Sequence, residues 1–303
     1  MSNSSISINI NFDSMGWALG YPSDYEDKTF TTIGDRFMRL AEKYNFKYTI
    51  FVIGKDLENG RNAEAVCEWS RRGHEIGNHS YHHQLDFGTL NEKETYREVE
   101  KTHELIFKAC GKEPKGFIAP NWASSKYLTK VLIDLDYVYD TSHFPSWLLY
   151  LLVLKNFLNH LGSDRIFSTI RGQDYLIPLI GHRQIFEARY KDKMIKVLPL
   201  PTNRFRIACW HTFGFYCGWK LQEIIIKSSI NTTKAFYYLM HPADLIGAED
   251  VENSTKLYFA RMKHKSIEKY HYLDNMLNII SSSNKSIVTL LEHCEKIKQD
   301  PTF

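Results

Sequence analysis

The sequence predicts an α/β protein in which strands and helices alternate as in a deformed (β/α) barrel. Two observations carry this expectation. Short apolar segments of strand type alternate with helical periodicities over the first half of the chain, the pattern of a parallel sheet wrapped by helices. Residues suited to chemistry (Asp13, His79, Pro120 and Asp140) follow several of the strands. In a barrel built this way, the C-terminal ends of the strands form the active-site rim.

Each element has its own signal. Ile6, Ile8, Ile10 and Phe12 alternate with polar residues, the period of a strand. Over Thr31–Tyr44 the apolar residues Ile33, Phe37, Leu40 and Ala41 recur at helical spacing, with Asp35 in the first turn. A second strand is expected at Tyr48–Ile53, ending at Gly54. Ala63–Arg72 suits a helix stopped by Gly73, and a polar, histidine-rich loop comes next. Glu92–Cys110 reads as a long charged helix ending at Gly111. Phe117–Ala119 is a short strand stopped by Pro120, Ser125–Leu135 a helix and Tyr137–Tyr139 another short strand.

From Pro145 to about Ile230 the regular pattern lapses. This region opens with the apolar run Trp147–Leu154 and continues through strand-like pieces such as Ile195–Leu200. Ala235–Met240 is a buried strand ending in His241. Leu257–Ile279 is helical, and Ser286–Leu291 is a last strand leading into a terminal helix. No repeat or low-complexity linker interrupts the chain, so residues 1–303 read as one domain with an elaborated segment at about 145–230.

The 303 residues suffice for a large core, and 43% hydrophobic with 24% charged content is that of an ordinary globular protein. A net charge of +3, with the basic residues scattered, gives no footprint for nucleic acid. The five cysteines form no Cys-x-x-Cys pair, so neither a disulfide framework nor a zinc knuckle is expected. Met1–Ser5 lacks the basic and apolar parts of a signal peptide. No apolar stretch reaches the ~20 residues that cross a bilayer. The expected location is cytoplasmic, at most at the inner face of the membrane.

Three local features carry chemistry. His79 and His83, four residues apart, are spaced to bind one cation through neutral ring nitrogens. The same spacing also occurs among surface histidines with no such role. Asp13 ends the first strand, where an aspartate commonly caps a turn. His241 ends an apolar strand, where a hydrogen-bonded core histidine is the ordinary occupant.

Taken together, Asn11-Phe-Asp-Ser14, Tyr48–Gly54, Gly73-His-Glu-Ile-Gly-Asn-His-Ser-Tyr-His-His83, Phe117-Ile-Ala-Pro-Asn-Trp122, Tyr139-Asp-Thr-Ser142 and Leu239-Met-His241 resemble, in order, the motifs of the polysaccharide deacetylase (NodB-homology) family of carbohydrate esterases. The resemblance implies a deformed barrel of strands and helices holding one divalent cation, usually zinc, and an activity that removes an N-acyl group from a sugar or glycan precursor. It implies His79 and His83 as metal ligands, His241 as general acid, and Asp13 as either base or third ligand. It also implies substrate contacts from Tyr81, Pro120, Trp122 and Asp140, which lie in or beside those motifs.

Two departures from the family pattern stand out. The first motif ordinarily supplies two carboxylates, a base and a ligand; here Ser14 follows Asp13. The third motif ordinarily supplies an arginine that orients the catalytic aspartate; here the residue is Ile118, whose apolar side chain forms no ion pair. A metal-free hydrolase of a cyclic amide and a non-catalytic sugar-binding protein on the same fold are therefore the alternatives. The run 147–158 reads either as a buried helix or as an interfacial helix that meets a lipid-linked glycan. Expected partners are an N-acylated sugar, a nucleotide sugar or a lipid-linked glycan, with peripheral membrane contact through 147–158, or a homodimer through the same run.

Overall fold

A computed structural model describes residues 5–15, 27–159, 171–251 and 260–298. Strand β1 (Ile6–Phe12) leads through a helical turn (Thr29–Ile33) to α1 (Gly34–Tyr44), β2 (Thr49–Val52), α2 (Gly60–Arg71), β3 (Glu75–Asn78) and α3 (Glu92–Cys110). There follow β4 (Gly116–Phe117), α4 (Leu128–Asp134), β5 (Tyr139–Asp140), α5 (Leu148–Asn159), the short α6 (Ile177–Ile180) and the hairpin β6 (Phe186–Tyr190) and β7 (Lys193–Val197). The chain ends with α7 (His211–Cys217), α8 (Trp219–Thr232), β8 (Phe236–Met240), α9 (Ser266–Ser281) and α10 (Leu290–Lys298).

The strands form one sheet in the order β6-β7-β5-β4-β3-β2-β1-β8, parallel at every pairing except β6–β7. The sheet curls, so that its two edges approach without pairing. Gln184, just before β6, accepts from the Lys234 amide at 3.1 Å and donates to the Thr232 carbonyl at 3.2 Å, beside the start of β8. This is the deformed barrel of strands and helices that the sequence predicts. Parallel strands place all their C-terminal ends on one rim, which gathers Asp13, His79 and His241 although they are far apart in sequence.

The alternation along β1 decides which side chains face which layer. Ile6, Ile8, Ile10 and Phe12 pack with Phe37 and Leu40 of α1, Val66 and Trp69 of α2, and Leu273, Leu277 and Ile280 of α9. The Phe12 ring lies 4.9 Å from Phe30 and 4.7 Å from Trp69, within the range of favourable aromatic pairs. On the opposite, inner face, Phe51, Tyr139, Leu198, Tyr237 and Leu239 form a second cluster. Phe87, Val99, Phe117, Val131 and Ile195 form a third, beneath α3 and α4. Ser7, Asn9 and Asn11 lie on the inner face of β1 and are also buried.

The C-terminal helix closes the end of the barrel opposite the rim. The Thr49 hydroxyl accepts from the Leu290 amide at 2.8 Å and the Glu75 carboxylate from the Leu291 amide at 3.0 Å, which satisfies free N–H groups at the start of α10. Lys196 Nζ donates to the Cys294 carbonyl at 2.6 Å.

Several expectations need correcting. The segment read as a histidine-rich loop contains β3, a four-residue strand buried in the sheet centre. A strand so short and covered on both faces shows no alternation. Ser286–Leu291 is not a strand: Ile6 and Ile287 form one isolated bridge, and α10 begins at Leu290. The irregular middle contains two successive helices, α7 and α8, which the aromatic and β-branched residues of 211–232 conceal from a propensity reading. The helix expected from Leu257 begins at Ser266, and residues 252–259 lie outside the described residues. By contrast, α3 runs from Glu92 to Cys110 as the sequence predicts, with an Asn91–Glu94 capping box at one end and Gly111 at φ 67° at the other.

Candidate metal centre

The loop after β3 is shaped to aim two imidazoles at one point. Ser80 and His83 adopt left-handed backbone conformations, with φ of 61° and 52°, and the Ser80 hydroxyl accepts from the His83 amide at 3.1 Å. The buried Glu98 of α3 holds the turn from outside. It accepts from the amides of Tyr81 at 3.0 Å and His82 at 2.8 Å, and its other oxygen pairs with His82 Nδ1. Left-handed conformations at non-glycine residues cost free energy and persist where surrounding contacts enforce them.

The result is a compact set of donors. Nitrogen atoms of His79 and His83 and a carboxylate oxygen of Asp13 all lie within 4.8 Å of one another. Asp13 Oδ1 is 3.4 Å from His79 Nε2 and 3.6 Å from His83 Nε2, and it has no hydrogen-bond partner although it is buried. His79 Nδ1 lies 2.8 Å from the Ile118 carbonyl oxygen, which makes Nδ1 the protonated nitrogen and leaves the Nε2 lone pair facing Asp13. Burial holds the His83 imidazole at about 4, against the pull of Asp13, so the ring is neutral at physiological pH. Burial raises the Asp13 carboxyl, but His83, His79 and His241 outweigh it and hold the group well below the usual carboxylate range. An orphaned buried carboxylate oxygen beside two imidazole nitrogens fits a zinc-type cation.

This centre opens into a cavity of about 250 Å³ whose lining includes Trp122, Trp210, Leu152, His241 and Arg261. Asn121 and Trp122 sit in the turn after β4 with φ of 52° and 54°. Trp122 stacks on Phe144 at 4.6 Å and lies 5.2 Å from Trp210, giving the cavity an aromatic wall. His241 follows β8, and its amide donates to Asp244 Oδ2 at 2.8 Å. Asp244 is fully buried. Burial raises its carboxyl, but Arg261 pulls it back well below the usual range, with help from His241 and His211.

The other residues named from sequence lie elsewhere. Tyr81 lines a separate groove along α3, where Lys101 Nζ sits 3.7 Å from its ring centroid. Pro120 is buried at the head of its turn. Asp140 is held behind the wall: Ser142 donates to it and accepts from the Ala119 amide at 2.7 Å, which steadies the turn carrying Trp122. Burial pushes the Asp140 carboxyl up to about 6. Ser14 turns away from the centre to hydrogen-bond Asp56, whose carboxyl burial raises to about 7. Sequence reading missed Glu98, Trp210, Asp244 and Arg261. Only the His241-Pro-Ala-Asp244 spacing could have flagged one of them.

Comparison with known proteins matches residues 4–139 to the polysaccharide deacetylase family model. The peptidoglycan deacetylase of Helicobacter pylori is 31% identical over 107 residues, 35% of this chain and 36% of that protein. The peptidoglycan-N-acetylglucosamine deacetylase of Bacillus cereus is 35% identical over 97 residues, 32% of this chain and 33% of that protein. The chain thus matches about a third of the length of these curated relatives. Among solved structures, a putative polysaccharide deacetylase from Mycobacterium smegmatis superposes with a TM-score of 0.61 at 13% identity, covering 98% of this chain and 92% of that one.

Proposed function

We propose, on the premise that the chain belongs to the polysaccharide deacetylase family through residues 4–139, that it hydrolyses the N-acyl group of an amino sugar with one divalent cation held by Asp13, His79 and His83. The observation that carries this reading is the orphaned Asp13 oxygen facing two imidazole nitrogens in a cavity that His241 also lines. When bound, the cation supplies Lewis acidity toward the acyl carbonyl and a water acidic enough to attack near neutral pH.

The chain's own residues do the rest. With Asp13 committed as a ligand, His241 takes the proton of the attacking water and returns it to the leaving amine nitrogen, so acid and base work fall on one side chain. Trp122 and Trp210 give the sugar ring a stacking wall. The products are a free acid and an amine.

Helix α5 favours a lipid-linked form of the substrate. Leu152 lines the cavity, while Leu151 and Leu154 on the same helix are 52% and 53% exposed. Leu179 and Ile180 of α6 are also exposed, and Tyr150 of α5 donates to the Tyr175 carbonyl just before α6. An apolar surface beside the mouth suits a lipid-linked glycan. No helix among the described residues is long and apolar enough to cross a membrane.

The test is to load the protein with zinc and measure amine release from N-acetylglucosamine oligomers and from lipid-linked N-acetyl sugars. Turnover abolished by chelation and by His79→Ala supports the proposal. Turnover that persists after exhaustive chelation points to metal-free amide hydrolysis. Glycan binding without turnover on any acyl group points to a binding protein.

A further inference from the structure

Position 118, where the resembled motif carries an arginine, faces apolar company: Ile118 is 1% exposed and packs with Phe51, Tyr139 and Leu198. An arginine nevertheless reaches the cavity from a distant part of the chain. Arg261, in the helical turn Ala260–Lys263, lines the cavity beside His241. Its Nη1 donates to Asp244 Oδ1 and, at 2.8 Å, to the hydroxyl of Thr212 on α7. Thr212 donates in turn to Asp244 Oδ1 at 3.0 Å.

Asp244 thereby links Arg261 to His241, with the Thr212 hydroxyl also 3.4 Å from its Oδ2. Oδ1 is held by Arg261 and Thr212, and Oδ2 accepts the His241 amide and lies 3.9 Å from His241 Nδ1. The turn itself is pinned from below. Lys269 of α9 donates to the carbonyls of Ala243 at 2.9 Å and Ile246 at 2.5 Å, one on each side of Asp244. A fully buried carboxylate stays ionised only while a cation compensates it. Asp244 holds the His241 backbone through its amide, and its charge faces an Nδ1 that has no hydrogen-bond partner of its own.

We infer that Arg261 is a positioning residue for His241, acting through Asp244. It acts on the proton-transferring histidine, whereas the family's arginine acts on the aspartate of the first motif. The inference rests on the assignment of His241 as the proton-transferring group. Removing the guanidinium frees Asp244 Oδ1 to rotate or take up a proton, and the imidazole loses its fixed orientation while Asp13, His79 and His83 are untouched.

The experiment compares zinc-loaded wild type with Arg261→Gln, Arg261→Lys, Asp244→Asn and the Arg261→Gln/Asp244→Asn double variant, on N-acetylglucosamine oligomers. Arg261→Gln is expected to lower kcat about 10- to 100-fold with KM changed less than about twofold. Zinc content should be unchanged, and Arg261→Lys should recover part of the loss. The double variant should be no slower than Asp244→Asn alone, since both changes cut one line of contacts. Additive losses, or a loss confined to KM, would overturn the inference. Side-chain ¹⁵N spectra of His241 in the same variants give a readout that needs no turnover. A changed His241 signal in Arg261→Gln and Arg261→Lys supports the inference even for an inactive protein, and an unchanged signal overturns it even if the wild type is active.

Discussion

The carbonyl oxygen of Ile118 lies 2.8 Å from His79 Nδ1, so the residue that lacks the family's arginine still serves the centre through its backbone. The contact is made by the backbone, and it fixes the ring of His79 with Nε2 toward Asp13.

The centre is therefore expected to bind metal as built. Protein purified without chelator and incubated with zinc should hold about one equivalent after dialysis, by elemental analysis. His79→Ala, His83→Ala and Asp13→Ala should each lose it while their melting temperatures in chelator stay near that of the wild-type apoprotein. Zinc retained at full stoichiometry by all three variants would sink the assignment.

Asp244 should matter more for folding than for holding metal. Replacing it by Ala leaves the Arg261 guanidinium, 19% exposed, without its carboxylate. Breaking a buried pair from one side costs about 3–5 kcal/mol. Urea unfolding of Asp244→Ala should show a loss of this order, and Asp244→Asn, which keeps a carbonyl acceptor, a smaller one. Equal midpoints for Asp244→Ala and wild type would contradict the burial of this ion pair.

Acid should weaken the fold through its buried neutral histidines. His74 accepts from the Tyr48 amide through Nδ1 at 3.0 Å, a contact available only to the neutral ring, and burial holds its pKa at about 4. Burial likewise holds His211 and His293 at about 4. In the unfolded chain these rings bind protons at about 6.5. Between about pH 6.5 and 4 these rings bind more protons in the unfolded state and lower stability as pH falls, while Asp56 and Asp140, raised to about 7 and about 6, act in the opposite sense. His74 alone contributes roughly 2 kcal/mol of loss between pH 6.5 and 5. Denaturation midpoints measured across that window should drop steeply in the wild type and less so in His74→Asn, which keeps an acceptor without titrating.

Close packing against Tyr139 requires a glycine at position 116 on β4. A Cβ there would stand 2.0 Å from the ring of Tyr139, its register partner on β5. The Tyr139 hydroxyl donates to Glu75 Oε1 at 2.7 Å, and Glu75 also receives the first turn of α10. Gly116→Ala should therefore displace Tyr139 and loosen the C-terminal helix, at a cost of about 1–3 kcal/mol. Hydrogen exchange in residues 290–298 reports it; unchanged protection there would show that Tyr139 shifts without consequence.

Much of the rim was legible in sequence because its residues follow strands with clear local signatures. The alternation of Ile6, Ile8, Ile10 and Phe12 announces β1 and hence the place of Asp13, and the unbroken apolar run before His241 announces β8. What escaped depends on contacts between segments. Arg261 gains meaning only when the turn at 260–263 is folded against Asp244, and Glu98 looks like one more exposed charge on α3 until the loop of His82 closes over it. Strand β3 escaped for another reason: four residues containing a glycine, covered on both faces, carry no period to detect.

The position of β1 constrains how the protein is made. This first strand lies between β2 and β8 and pairs Ile6 with Phe236, and its Ile6 amide and carbonyl also bond Ser286 and Val288. While the chain emerges from the ribosome, Asp13, His79 and His83 are all synthesised long before the strand and helix that complete their surroundings. Folding of such distant pairings is slow, because loop closure is unfavourable until the late contacts form. The nascent chain therefore exposes a half-built sheet edge on β1 until residues 236–288 are made, and this edge, rather than the finished surface, is where chaperone binding and misassembly should concentrate.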